Sequence, residues 1–181
     1  MIEDKLLIWR IKHGSSEALG RIYKKYKDNL LRLAFALLND RDAAEDIVHD
    51  CFVSIAQSTE RLRLSGNFKS YLATCVVNRV RNTNKTRQPR EVIGHDKAGI
   101  GVSNLKRPEQ WIIESEQLRL LNNAMAQLPY QQREVIILHA QGEMKCKAIA
   151  ELQGVSINTV QSRYRYGLDK LRSILNSEVK L

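Results

Sequence analysis

Apolar residues recur every three to four positions through most of this chain, and the recurrence fails in one place, between Gln88 and Pro108. That period belongs to helices that bury one side, and strand-like alternation is almost absent. The interruption, "QPREVIGHDKAGIGVSNLKRP", carries two of the three prolines and three glycines. Such a composition resists regular structure and suits a tether between folded units. The sequence therefore predicts an all-α protein of two small helical domains joined by a flexible linker, with bounds at 1–87, 88–108 and 109–181.

A chain of 181 residues can supply one domain or two small ones. It has no apolar run of the roughly 18 to 20 residues that a membrane span requires. Its first residues, MIEDKLLIWRIK, put acids ahead of a short amphipathic stretch and lack the basic start of a signal peptide. A cytoplasmic location is expected. Cys51, Cys75 and Cys146 are odd in number and sit in apolar surroundings, which reads as buried thiols in a reducing compartment.

The formal net charge is +9, which points to a polyanionic partner. The distribution of charge says more than the total. Arg79, Arg81, Lys85, Arg87 and Arg90 fall in one stretch without an acid, whereas Asp40, Asp42, Glu45, Asp46 and Asp50 crowd another around a single Arg41. Coating DNA does not call for an acidic block, so a second and different partner is implied. From Asp42 to Ser58 the apolar residues Ile47, Val48, Cys51, Phe52, Ile55 and Ala56 share one helical face, with Asp42, Glu45, Asp46, His49 and Asp50 largely opposite. A further helix is expected from about Asn67 or Phe68 into the basic stretch, buried along Leu72, Cys75, Val76 and Val80. Helix signals return from about Glu109 to Ala126, followed by a helix with Pro129 near its start and Gly142 near its end. Two short helices joined at Gly154 complete the chain.

Those last two helices have the spacing of a helix-turn-helix. Ala150 is small enough for a close crossing, Gly154 makes the turn, and Val160 packs the second helix on the first. Ser156 is a preferred N-cap. The outer face then presents Asn158, Thr159, Gln161, Ser162, Arg163 and Arg165, groups suited to base edges or phosphates in a major groove. The same pattern also describes an ordinary helical hairpin with a solvated face.

A resemblance decides between these readings. "AQLPYQQREVIILHAQGEMKCKAIAELQGVSINTVQSRYRYGLDKLR" resembles region 4 of bacterial sigma factors of the extracytoplasmic-function group, within the sigma-70 family. "YKKYKDNLLRLAFALLNDRDAAEDIVHDCFVSI" resembles regions 2.1 and 2.2, and "GNFKSYLATCVVNRVRN" resembles regions 2.3 and 2.4. Both lobes follow the family order, with the linker in place of region 3.

The resemblance implies a non-enzymatic subunit, without cofactor, that binds core RNA polymerase and directs transcription initiation at promoter DNA. It puts Asp42, Glu45, Asp46 and Asp50 against the β′ clamp helices, with Ile47 and Phe52 holding the helix. It gives the −10 element to a flipped-base pocket, a mode that pairs aromatic and amide groups with basic residues on the phosphates. Asn67, Phe68, Lys69, Tyr71, Thr74 and Asn78 are candidates near that pocket, and Arg79, Arg81 and Lys85 for the backbone. Phe68 and Tyr71 also read as plain core residues. Ser156, Asn158, Thr159, Gln161, Ser162, Arg163 and Arg165 fall to the −35 element. Residues around Leu128, Arg133, Val135, Ile136 and Leu138 fall to the β flap, and an anti-sigma factor is an expected inhibitor.

Ala148, Gln153, Tyr166 and Gly167 depart from the family pattern. Ala148 removes a side-chain contact or cap, Gln153 puts a polar group at a commonly apolar turn position, and Gly167 weakens a helix. His49 and Cys51 diverge on a helix and find no partners of metal-ligand spacing, and no Walker loop or nucleophile elbow appears. Two other functions stay open on the residues alone. A free-standing helix-turn-helix regulator would need a dimer seam, and a metal-dependent hydrolase would need a cation held by Asp46 and Asp50.

Overall fold

The computed structural model describes residues 2–58, 67–91 and 116–178, all of whose regular elements are helices. The N-terminal module holds α1 (Ile2–Lys12), α2 (Ser16–Leu38), α3 (Arg41–Gln57) and α4 (Phe68–Glu91). The C-terminal module holds α5 (Glu116–Ala126), α6 (Tyr130–Ala140), α7 (Cys146–Gln153) and α8 (Ile157–Glu178). None of the described helices is long and apolar enough to cross a membrane.

Local chemistry sets the helix ends. Ser15 caps α2 by accepting from the Ala18 amide at 3.3 Å, and Asp40 caps α3 through the Ala43 amide at 3.1 Å. Between them Asn39 takes a left-handed conformation, φ 53°, and ends α2. Asp40 therefore belongs to the helix start and not to an acidic docking face. At α4 the Asn67 side chain accepts from the Lys69 amide at 3.0 Å, which fixes the start that the sequence leaves between two residues. The helix continues through Gln88 and Pro89 to Glu91, into the stretch expected to be linker. The remainder of that stretch, and the expected helix start at Glu109, lie outside the described residues.

Burial supplies most of the stabilisation. Ile22, Leu30, Leu33 and Leu37 of α2, Val48 of α3 and Leu72 and Val76 of α4 are fully buried in the module where these three helices pack together. Burying a side chain of this size contributes about 1.5–3 kcal/mol before entropy is set against it. The second module closes on Ile137, Leu138, Ile149 and Val160.

Two features depart from the sequence reading. The last helix is long, 22 residues, because Leu168, Leu171, Ile174 and Leu175 continue its apolar stripe. The two modules are also not separate beads on a tether: α2 lies against α6 and α5, and α4 bonds to α6, to the turn after it and to the end of α7.

Candidate nucleic-acid interface

In α7 and α8 the turn is built as the residues require. Gly154 has φ +65°, a conformation that costs other residues a steric penalty. Ser156 Oγ accepts from the Thr159 amide at 3.1 Å and lies 2.9 Å from Thr159 Oγ1. The Ser156 hydroxyl thus starts the helix, held in place by that of Thr159. Val160 is fully buried and Ala150 nearly so, which seats α8 on α7. Asn158, Gln161 and Arg165 stand exposed on the outer face, while Ser162 and Arg163 are half-buried. Arg163 donates to Gln153 Oε1 at 2.7 Å.

Gly167 has a reason that the sequence did not reveal. A Cβ there would lie 2.9 Å from Ile136 Cδ1 and 3.2 Å from Gln132 Cβ. Close approach of α8 to α6 calls for glycine, so its weak helix propensity is offset by packing. In α6 itself Val135, Ile136 and Leu138, with Leu128 ahead of it, are buried. They form the module's core and offer no outward surface of their own, which corrects their expected part in flap contact. Arg133 is half-buried against the Tyr130 ring.

The acidic helix is amphipathic as expected. Asp42, Glu45, Asp46, His49 and Asp50 are exposed, while Ile47 and Phe52 are 6 % exposed. Ile47 and Phe52 thus act from beneath the helix, Phe52 meeting Tyr23 edge-on at 4.9 Å. Glu45 is tied to Arg41 at 3.0 Å, which leaves Asp42, Asp46 and Asp50 as the acids with no ion pair among the described residues.

The basic helix α4 carries two neighbouring faces. Tyr71, Thr74, Asn78 and Lys85 share one by helical period, with Asn78 and Lys85 exposed. Tyr71 is half-buried, and burial together with the neighbouring Cys75 pushes its phenol up to about 12. Thr74 spends its hydroxyl on the Ser70 carbonyl at 2.9 Å. Phe68 is 3 % exposed, meets Tyr26 edge-on and stacks on Tyr71, so its ring supports Tyr71 and does not itself face solvent. Arg79 turns inward to the Asp50 carbonyl and Ser54 Oγ, locking α4 to α3.

The second face, Lys69, Ser70, Ala73, Val77 and Arg81, lies toward the C-terminal module. Lys69 Nζ meets Glu143 at 2.6 Å. Arg81 forks onto both oxygens of Glu134 at 2.9 and 2.7 Å and donates to the Leu152 carbonyl at 2.8 Å. The hydrogen bonds to Glu134, with its charge, raise the guanidinium above its ordinary value despite burial. Glu134 also accepts from Tyr130 at 3.1 Å and from Gln153 at 2.6 Å. Burial and the Glu134 charge drive the Tyr130 phenol well above the usual range. Gly142 completes the contact: a Cβ on it would lie 3.3 Å from Ala73 Cβ and 2.6 Å from the Leu138 carbonyl oxygen. Sequence reasoning missed Glu134, Tyr130, Glu143 and Gly142. The one available signal was a tyrosine and an acid four apart, just ahead of an apolar run.

Comparison with known proteins follows the same division. Residues 22–90 match the family model described as Sigma-70 region 2, and residues 118–171 match Sigma-70, region 4. The ECF RNA polymerase sigma factor SigW of Bacillus subtilis is 24% identical over 179 residues, covering 94% of this chain and 96% of that one. RNA polymerase sigma factor SigV of the same organism is 28% identical over 153 residues, covering 84% and 88%. Among solved structures, CnrH in complex with the cytosolic domain of CnrY superposes with a TM-score of 0.68 at 19% identity, covering 97% of this chain and 98% of that chain. RpoE in complex with the anti-sigma factor NepR from Bartonella quintana gives 0.66 at 21%, covering 87% and 96%.

Proposed function

The chain belongs to the sigma-70 family, in its extracytoplasmic-function group, and from that premise we propose how its residues divide the work. It is a sigma factor: it binds core RNA polymerase and directs initiation through contacts with the −10 and −35 elements of promoter DNA. It makes and breaks no bonds of its own.

The carrying observation is that two polar surfaces of opposite character stand exposed on separate helices. Asp42, Asp46 and Asp50 line the outside of α3, and a row of carboxylates suits a basic polymerase surface such as the β′ clamp helices. Asn158, Gln161 and Arg165 line the outside of α8 beyond a capped turn, where each good base contact is worth about 1–3 kcal/mol. Asn67, Asn78 and Lys85 are exposed at and along α4. Together with half-buried Tyr71 they supply the amide, aromatic and basic groups that an unstacked strand requires. Phe68, Arg79 and Thr74 position this set, and Ile47 and Phe52 position the acidic helix. The N-terminal module of 1–87 thus takes polymerase and the −10 element, the linker of 88–108 spaces it, and 109–181 takes the −35 element. Binding through two linked modules lets each contact stay individually weak.

A subunit of RNA polymerase works in the cell interior, and the cytoplasm is the location this reading assigns, with an anti-sigma factor as a further partner; the solved complex of RpoE with the anti-sigma factor NepR supports such a partner. Contact with the β flap belongs to groups outside the C-terminal core, among them exposed Gln131 and His139.

Transcription from a promoter library with core polymerase, with and without the purified chain, tests the whole. Starts that need both components are expected. Sequence-specific duplex binding without polymerase, and no dependent starts, would instead mean a free-standing regulator. Arg163→Ala is expected to weaken use of −35-dependent promoters while leaving polymerase association intact, and unchanged promoter use would remove Arg163 from the contact.

A further inference from the structure

We infer that Glu134 is an internal stand-in for a DNA phosphate, holding the free protein closed and withholding one arginine of each DNA surface. This rests on the assignment of Arg81 and Arg163 to DNA given above. The carboxylate side chain is 2 % exposed. One side of it takes the full guanidinium fork of Arg81 from the other module. A planar, bidentate fork is the geometry with which arginine grips a phosphate, so Arg81 cannot serve both. On its other side the carboxylate accepts from Gln153, whose own amide oxygen receives Arg163. A single acid therefore restrains Arg81 directly and Arg163 through one relay.

The surrounding contacts agree with a clasp. Lys69, a second −10 candidate, is drawn to Glu143 across the same boundary. Gly142 lets the α6–α7 turn come within van der Waals reach of Ala73. The face of α4 that holds Asn78 and Lys85 stays open beside it. The closed form is thus only part-masked: the amide groups remain available and the basic edge does not. Gln153, polar at a turn position that is commonly apolar in the family, is the positioning residue that joins the recognition helix to the clasp.

The test uses the full chain and two readouts. Small-angle scattering reports whether the modules are closed, and fluorescence anisotropy of a labelled single-stranded oligodeoxythymidine reports the access of α4 to a phosphate backbone. Glu134→Gln is expected to expand the particle and tighten oligonucleotide binding about five- to tenfold, as removal of a closed, non-binding population does. Glu17→Gln makes the same change in net charge at an exposed site and sets the baseline. Arg81→Gln, which cuts the fork from the other module, is expected to expand the particle as well. Unchanged dimensions in both clasp variants would overturn the inference. So would expansion without tighter binding beyond the Glu17→Gln baseline. Neither readout contains polymerase, so failure of the clasp leaves the transcription assay to judge the sigma assignment separately.

Discussion

Gly167 shows at the scale of one residue how packing overrides propensity. Alanine in a helix interior is favoured over glycine by about 1 kcal/mol, yet its Cβ would press on Ile136 and Gln132. Gly167→Ala is therefore expected to gain nothing in chemical denaturation and to lose up to about 1 kcal/mol, since overpacking costs that much or more. A full gain would mean that Ile136 moves aside freely. Cys51 illustrates burial of another kind. Removal from water raises its thiol to about 12 despite the nearby Arg79. The reactive thiolate is then nearly absent at neutral pH. Alkylation followed by mass spectrometry is expected to leave Cys51 unmodified until the chain is unfolded.

At the scale of elements, α1 is held to α2 by charge as well as by Leu7, Ile8 and Ile11. Lys25 bonds to Glu3 at 2.8 Å and to Asp4 at 2.7 Å. Burial opposes ionisation of Asp4, but the hydrogen bonds from Lys25 and Tyr26 outweigh it and hold the carboxyl below its ordinary value. Glu3 is lowered by the hydrogen bond and charge of Lys25. For a carboxyl with a lowered folded value, the stabilisation is complete above the unfolded value and disappears as pH falls through the folded one. Protection of α1 amides from hydrogen exchange is accordingly expected to fall as pH drops below about 4. Lys25→Ala should flatten that dependence at a cost of about 1 kcal/mol or more, because Lys25 is part-exposed but its partner Asp4 is largely buried and loses its counter-charge. In the other module, Ser156→Ala removes the hydroxyl that starts α8, and a loss of about 1 kcal/mol is expected in the thermal unfolding of the full chain.

At the scale of the whole molecule, the contact between modules is held by pairs of unequal worth. Lys69–Glu143 has a carboxylate more than half exposed, whereas Glu134 is sealed beneath Arg81. Surface pairs are screened by salt and contribute about 0–1 kcal/mol, and breaking a buried pair leaves a charge without a partner, at about 3–5 kcal/mol. Glu143→Gln is therefore expected to leave scattering dimensions nearly unchanged at physiological salt, in contrast to the Arg81 and Glu134 variants. Expansion in Glu143→Gln equal to theirs would shift the clasp to the surface pair.

What the amino-acid order determined by itself was local: the helical period, the turn at Gly154 with its Ser156 cap, and the division of α3 into buried Ile47 and Phe52 below exposed acids. These follow from interactions between residues a few positions apart, which a linear pattern records. Tertiary structure alone decided that Phe68, Arg79 and Val135 face inward, that Gly167 is needed for a close helix crossing, and that Arg81 meets Glu134. Those outcomes depend on which helix arrives beside which, and residues 53 positions apart in the chain leave no periodic trace of their meeting.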